Sequence, residues 1–337
     1  MNLGRRLRRL LCAPEGGPTV LAQRLHDHAI TVRYWVTGSR LESSLLLYKL
    51  ARVQFPEDCM ARLRLRLPWF VALVDFQRFA RLIVTNRLVK GAESMIGPFR
   101  NRETAQRYEE ELLAGFSLRR CSEDLIPAPD HPGCVYGEIK LCSRPCQGAI
   151  SNSEYRREAA DVKDFLLTNG ANALRSLSLA REKAAAETEF ETAASIHKRI
   201  EKLKAVARNR DTMVADLENF NGIAVTEGPG INHWRLWPML SGFWQEPITF
   251  QKADGALNMA LWEGRLRELL APVSADPSRD GHQAEHLAIF TRWYYSSWRD
   301  GDWVAWPDLN KAPSRKLARH LAKRAKESAE PAAALSC

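Results

Sequence analysis

Between Cys121 and Cys146 four cysteines fall within 26 residues, in the pattern Cys121-x12-Cys134-x7-Cys142-x3-Cys146. Pro127, Pro129, Pro132, Gly133, Gly137, Pro145 and Gly148 punctuate the same stretch, so it has little regular structure to bury and gains from a cross-link. Four thiolates suit an iron-sulfur cluster or tetrahedral zinc. Only Cys142 and Cys146 have the tight spacing of a zinc knuckle, and spacing leaves the metal open. The basic start MNLGRRLRRLL lacks the apolar core of a secretory signal, and no run reaches the ~20 apolar residues of a membrane span. A cytoplasmic protein without membrane contact is expected, which makes a metal cage a better reading than disulfides or four small buried hydrophobes.

The 337 residues, 45% hydrophobic and 26% charged, suffice for two or three domains with cores of their own. The net charge of +9 is uneven. Residues 1–120 carry 21 Lys+Arg against 11 Asp+Glu, and the remainder carry 28 against 29. An N-terminal excess of this kind is the electrostatic footprint of a polyanion partner, with a merely solvated basic face as the alternative.

Along the chain, Asn2 to Leu11 reads as a short basic helix closed by Pro14, Gly16, Gly17 and Pro18. Ile30 to Val36 reads as a strand, Glu42 to Val53 as a helix ended by Pro56, and Trp69 to Val74 with Arg81 to Val84 as a strand pair. Gly97-Pro98-Phe99 predicts a turn, and Glu103 to Phe116 a helix with Leu112, Leu113 and Phe116 toward a core. From Ser153 to about Leu217 an almost unbroken helical pattern, interrupted at Gly170, predicts an antiparallel hairpin or bundle. After Asn221, Gly222 to Val225 and Trp234 to Phe243 read as a β-meander. Glu285 to Trp298 follows as an aromatic-rich helix, before a basic tail with Lys311, Arg315, Lys316, Arg319, Lys323 and Arg324.

The wording of three segments resembles the C subunit of bacterial UvrABC excinucleases: Gly97-Pro98-Phe99-Arg100, Phe116 to Cys121, and Cys134 to Ser151. Glu154-Tyr155, Phe165-Leu166 and Glu189 to Leu203 extend it, the last resembling the UVR motif. The resemblance implies nucleotide excision repair, with DNA and UvrB as partners and a 4Fe-4S cluster on Cys121, Cys134, Cys142 and Cys146, zinc being the alternative. It also implies that Phe190, Glu191, Ala193, Ala194, Arg199 and Ile200 serve partner docking. Small Ala193 and Ala194 admit a close second helix, although the same stripe also suits a hairpin's own core.

The fold class expected is α/β and α+β multidomain. Residues 1–96 form a partial GIY-YIG nuclease-like α/β domain and 97–152 the cysteine-cluster module. A UVR-type helical hairpin over 153–217 and a small β-rich, Trp-rich C-terminal domain with helices and a basic tail over 218–337 complete it.

A GIY-YIG nuclease needs paired tyrosines, a phosphate-holding arginine and a metal-binding glutamate. The tyrosines are not found, and the resemblance places the arginine at Arg6, whose guanidinium suits a phosphate or is one of four surface arginines. Leu47 stands where the glutamate belongs, and a leucine cannot hold Mg2+. Glu42, one turn away, is read as structural. Either the paired tyrosines lie upstream of Met1 or the domain has lost catalysis. Asp254, Asp276 and Asp280 sit in Gly/Pro/Ser-punctuated stretches and do not support a two-metal site. Trp293-Tyr294-Tyr295 beside Arg292 and Arg299 suit base stacking, but such density of aromatics is more often core. The function expected is a UvrC-like repair protein with impaired or lost endonuclease activity. The alternatives are a non-catalytic DNA- or UvrB-binding adaptor and a zinc-stabilised regulatory protein.

Overall fold

The computed structural model describes residues 4–5, 7–8, 28–75, 79–230, 233–251, 264, 282–311 and 313–327. The chain divides after Thr37. In the first unit Gly4, Arg5, Leu7 and Arg8 are helical. The strand expected over Ile30 to Val36 is not formed: these residues enter no ladder among the described residues, and Ile30 is 99% exposed. A β-pattern becomes a strand only where a neighbour takes its backbone N–H and C=O groups, so propensity alone did not suffice.

In the second unit α1 (Arg40–Gln54) starts where Ser39 Oγ accepts the Glu42 N–H, and α2 (Cys59–Leu63) follows. A first antiparallel sheet joins β1 (Trp69–Val74), β2 (Arg81–Thr85), β3 (Ser94–Phe99) and β4 (Ala215–Asp216) in the order β2-β1-β3-β4. The predicted β1–β2 pair is therefore present.

The turn expected at Gly97-Pro98-Phe99 is corrected: these residues end β3, and the Gly97-Pro98 peptide is cis. Proline fits a strand at an irregularity, and the β1–β3 register shifts between Trp69 and Val71, opposite this point. Gly97 lets the strands close, since a Cβ there would lie 2.4 Å from the Phe70 ring.

Helix α3 (Arg102–Leu113) begins with a capping box of Asn101 and Thr104, and α4 (Val135–Glu138) lies within the cysteine segment. The expected helical stretch after Ser153 is three helices: α5 (Asn152–Thr168), α6 (Ala171–Ala186) and α7 (Phe190–Asn209). Besides Gly170, a second break falls at Thr188, whose φ is +61°, and the helical run ends at Asn209 so that Ala215–Asp216 can pair with Ile96 and Gly97.

A second antiparallel sheet contains β5 (Gly222–Glu227), β6 (His233–Leu240), β7 (Phe243–Trp244), β8 (Ile248–Gln251) and β9 (Gly301–Ala305). The expected meander is there, and the aromatic-rich helix appears as α8 (Gln283–Tyr294). The basic tail is itself a helix, α9 (Ser314–Glu327), seated on the sheet by Leu317 and Leu321.

Strand alternation sorts these elements into layers. From β1, Val71 and Leu73 face α3, α5 and α7, whose Leu112, Tyr155, Phe165 and Leu203 complete one core. Phe70, Ala72 and Val74 face the other way and pack with Leu41, Leu45 and Tyr48 of α1, Phe290 and Trp293 of α8, and Trp237 and Trp244. That core draws on both the 1–96 and the 218–337 stretches. From β5, Ala224 joins it, while Ile223 and Val225 face Leu317 and Leu321 of α9. The architecture is α+β, with two antiparallel sheets and helices between and outside them.

Candidate functional site

The cysteine segment is anchored at both ends to the first core. Phe116 and Leu118 are buried, and Ser117 C=O accepts bonds from the Ser143 N–H (2.9 Å) and hydroxyl (3.2 Å), which draws the Cys142 end against the Cys121 end. Gly115 permits this, because a Cβ there would lie 2.4 Å from Leu203 Cδ2 of α7. Cys134 caps α4, its C=O accepting the Gly137 and Glu138 N–H groups. Lys140 and Arg144, both at positive φ, then turn the chain through Cys142 into the 3-10 turn Pro145–Gln147 that carries Cys146. Gly137 allows Arg144 to cross, a Cβ there meeting Arg144 Cγ at 2.7 Å. The Ala128 N–H donates to Cys146 C=O (2.9 Å), closing the loop.

Cys142 and Cys146 are buried, and Cys121 and Cys134 partly so. Burial pushes the Cys142 thiol up to about 11, against the Arg144 N–H that donates to its sulfur at 3.4 Å, with the other three cysteines adding to the rise. Burial likewise raises Cys146, and Cys121 and Cys134 add to it. Cys142 and Cys146 thus each feel the charge of neighbouring cysteines. Among the described residues, however, no three Cys, His, Asp or Glu groups converge tightly enough to hold a single metal ion.

The neighbouring charge bears on what fits there. Arg119 is only 4% exposed, and its guanidinium donates to Phe79 C=O (2.9 Å) and Glu123 C=O (2.6 Å) and approaches Cys121 Sγ at 4.0 Å. No carboxylate pairs with it among the described residues. A buried cation held by carbonyls and a thiol lacks a full counter-charge, and an anionic thiolate-bound centre beside Cys121 would supply one. The donor set and this cation fit such a centre. The sequence signal for this cation is Arg119-Arg120 directly before Cys121, a pair that composition alone does not set apart from other surface arginines.

On α7, Phe190, Glu191 and Ala194 are exposed and Ala193 is half-buried. Ile200 is buried in the chain's own core, and Arg199 donates from Nε to Gly115 C=O (3.0 Å) while lying 5.3 Å over the Phe116 ring. Arg6, Asp254, Asp276 and Asp280 lie outside the described residues. Glu42 is buried, accepts the Gly38 N–H (2.9 Å) and pairs with Arg235, in keeping with a structural role, and Leu47 is exposed. Trp293 is fully buried and donates to Asp300 (3.1 Å), so the aromatic-rich helix does serve the core, with Tyr294 and Tyr295 half-buried.

Residues 68–165, which hold the first sheet's β1 to β3, α3 and all four cysteines, match the UvrC/Cho excinuclease middle domain. In its middle region the chain is similar to UvrC proteins. UvrABC system protein C of Clostridium perfringens strain SM101 is 28% identical over 178 residues, 52% of this chain and 29% of that protein. Its namesake from Mesorhizobium japonicum is 27% identical over 249 residues, 70% and 34% respectively. The Caulobacter vibrioides protein is 32% identical over 166 residues, 46% and 26%. The chain thus matches about a third or less of the length of these UvrC relatives. No solved structure matches it. Among the described residues no helix is long and apolar enough to cross a membrane.

Proposed function

We propose that this chain is a UvrC-like protein of nucleotide excision repair that binds DNA and a UvrB-type partner, with the family's endonuclease chemistry impaired or lost. The observation that carries the reading is the match of residues 68–165 to the excinuclease middle domain, with the four cysteines and the buried Arg119 inside it. Cys121, Cys134, Cys142 and Cys146 hold an iron-sulfur cluster, which when bound supplies a cross-link for a segment poor in regular structure. Zinc is the alternative, less favoured because only Cys142 and Cys146 have the tight spacing of a zinc knuckle. Exposed Phe190, Glu191 and Ala194 on α7 form the docking arm, while Arg199 and Ile200 fix that arm to the body of the chain. Impaired cutting is supported by Leu47 and by Glu42, whose carboxylate is engaged by Arg235 and is not free for Mg2+.

Protein purified anaerobically is expected to be brown with about four irons per chain. Colourless protein with one zinc would replace the cluster by a zinc site. Incubated with UvrA, UvrB, Mg2+ and a lesion-bearing duplex, the chain is expected to join the DNA complex without cutting. Incision that Arg6→Ala abolishes would refute the loss of catalysis, and failure to bind either DNA or UvrB would refute the repair role.

A further inference from the structure

A cleft of about 540 Å³ opens between the segment leading into β1, the end of β3 and the C-terminal turn of α8. Its size is that of small-ligand clefts, and Arg64, Arg66, Arg100 and Arg292 line it together with Trp69 and Tyr295. All four arginines are exposed, and none is in an ion pair among the described residues. The nearby acid is Asp211, which is occupied in accepting the Tyr295 hydroxyl (2.8 Å). Burial and that carboxylate push the phenol well up, so Tyr295 remains a neutral ring.

The arrangement is built into the fold. Arg292 Nη1 donates to Leu63 C=O (2.8 Å), tying α8 to the end of α2, and one of its nitrogens remains for a ligand. Arg64 holds a left-handed φ of +51°, a conformation costly for a non-glycine residue that caps α2 at the mouth of the cleft. Arg102, outside the lining, lies 5.5 Å over the Trp69 ring and adds a positive charge nearby. Planar guanidinium forks match phosphate oxygens, and aromatic walls match the faces of bases.

We infer that this cleft binds nucleotide units of an unpaired strand, phosphates on Arg64, Arg66, Arg100 and Arg292 and a base against Trp69 or Tyr295. The inference rests on the DNA-binding reading above and gives it a site. A single strand is favoured over a duplex because stacking on Trp69 or Tyr295 requires a free base face.

The test uses the full chain with a twelve-residue oligothymidylate, thymidine monophosphate, an undamaged duplex and polyglutamate as probes. Arg66→Ala/Arg100→Ala is expected to weaken strand binding about tenfold at moderate salt. It should also make the slope of log K against log salt shallower by about 1.4, two lost phosphate contacts at about 0.7 each. Arg66→Lys/Arg100→Lys should restore the slope and part of the affinity, and Trp69→Ala should weaken strand binding with duplex binding unchanged. Thymidine monophosphate bound by the wild type and not by the double alanine variant would support the same site with a free nucleotide as its ligand. Strand binding unchanged in the double variant, or equal displacement by polyglutamate, would overturn the cleft while leaving DNA binding intact. Binding of no DNA of either form would sink the wider reading as well.

Discussion

Arg119 shows how much one side chain does for the cysteine segment. Its backbone N–H donates to the Tyr155 hydroxyl (3.0 Å), which itself donates to Ala80 C=O (2.7 Å), while the guanidinium serves Phe79 and Glu123. Arg119→Met keeps most of the stem's packing but leaves the carbonyl of buried Phe79 unpaired, at about 1–3 kcal/mol, while the carbonyl of exposed Glu123 can turn to water. We expect urea unfolding to show a loss of about 1–3 kcal/mol with an unchanged m-value. An unchanged midpoint would mean that water satisfies both carbonyls. Glu109 of α3 gives a pH effect. Burial, then Glu110, raises its carboxyl to about 7 against the pull of Arg120 and Arg81. The folded chain keeps this proton up to about pH 7 and the unfolded chain releases it near the ordinary 4.5, so the folded state binds more protons in between. The associated stability is complete below about pH 4.5 and drains away as the pH rises to about 7. Glu109→Gln is expected to stabilise the protein at pH 8 by about 1 kcal/mol, after allowance for solvent screening, with no effect near pH 4. Equal denaturation midpoints for the two proteins at pH 8 would contradict this.

At the scale of elements, close approach of helix and turn decides where the cysteine segment sits. Gly115 lies against Leu203, and a methyl group there has to push α7 away from Phe116. Gly115→Ala is expected to cost about 2 kcal/mol, within the range for overpacking, and Leu203→Ala alone about 2–5 kcal/mol through the cavity it leaves. Because the added methyl fills space that the leucine vacates, the double variant should lose less than the two single losses together. A double-mutant cycle measures that coupling, and strict additivity would show that the two residues do not share the space. The second break in the helical run, at Thr188, carried no signal as strong as Gly170, because threonine rarely takes a positive φ and no glycine or proline marks the site. The basic tail hid a helix for a related reason. Among the described side chains its buried stripe is Leu317 and Leu321, about one turn apart among charged residues, and the second sheet is what makes that narrow stripe sufficient.

For the whole molecule, β1 is the centre: Phe70 to Val74 are all buried, with one core on each face. Amides of Val71 to Leu73 should therefore exchange only through global opening, while those at the start of α9, held mainly by Leu317 and Leu321, exchange through local opening. Hydrogen exchange followed by mass spectrometry should place the two segments in different protection classes, and equal rates would argue that the layers unfold separately. The layering was partly readable beforehand. The apolar run Trp69 to Val74, the Leu112 and Leu113 face of α3, which ends at Leu113 and not at the expected Phe116, and the meander after Asn221 each follow from local sequence pattern. The grouping of four cysteines was equally local, as was the wording that ties residues 68–165 to the excinuclease middle domain. Pairing partners and packing neighbours are not local. Whether Ile30 to Val36 finds a ladder, whether Gly97-Pro98 bends the chain or ends a strand, and which charges gather at a cleft depend on residues tens to hundreds of positions away. Arg64, Arg66, Arg100 and Arg292 become one basic wall only after α8 is drawn against α2 and β1, and Arg119 becomes a buried cation only after Tyr155 and Phe79 close over it. Period and composition therefore marked out most of the elements and the grouping of the four cysteines, whereas strand partners and burial, and with them the cost of each charge and the space left for each ligand, were decided by tertiary contact.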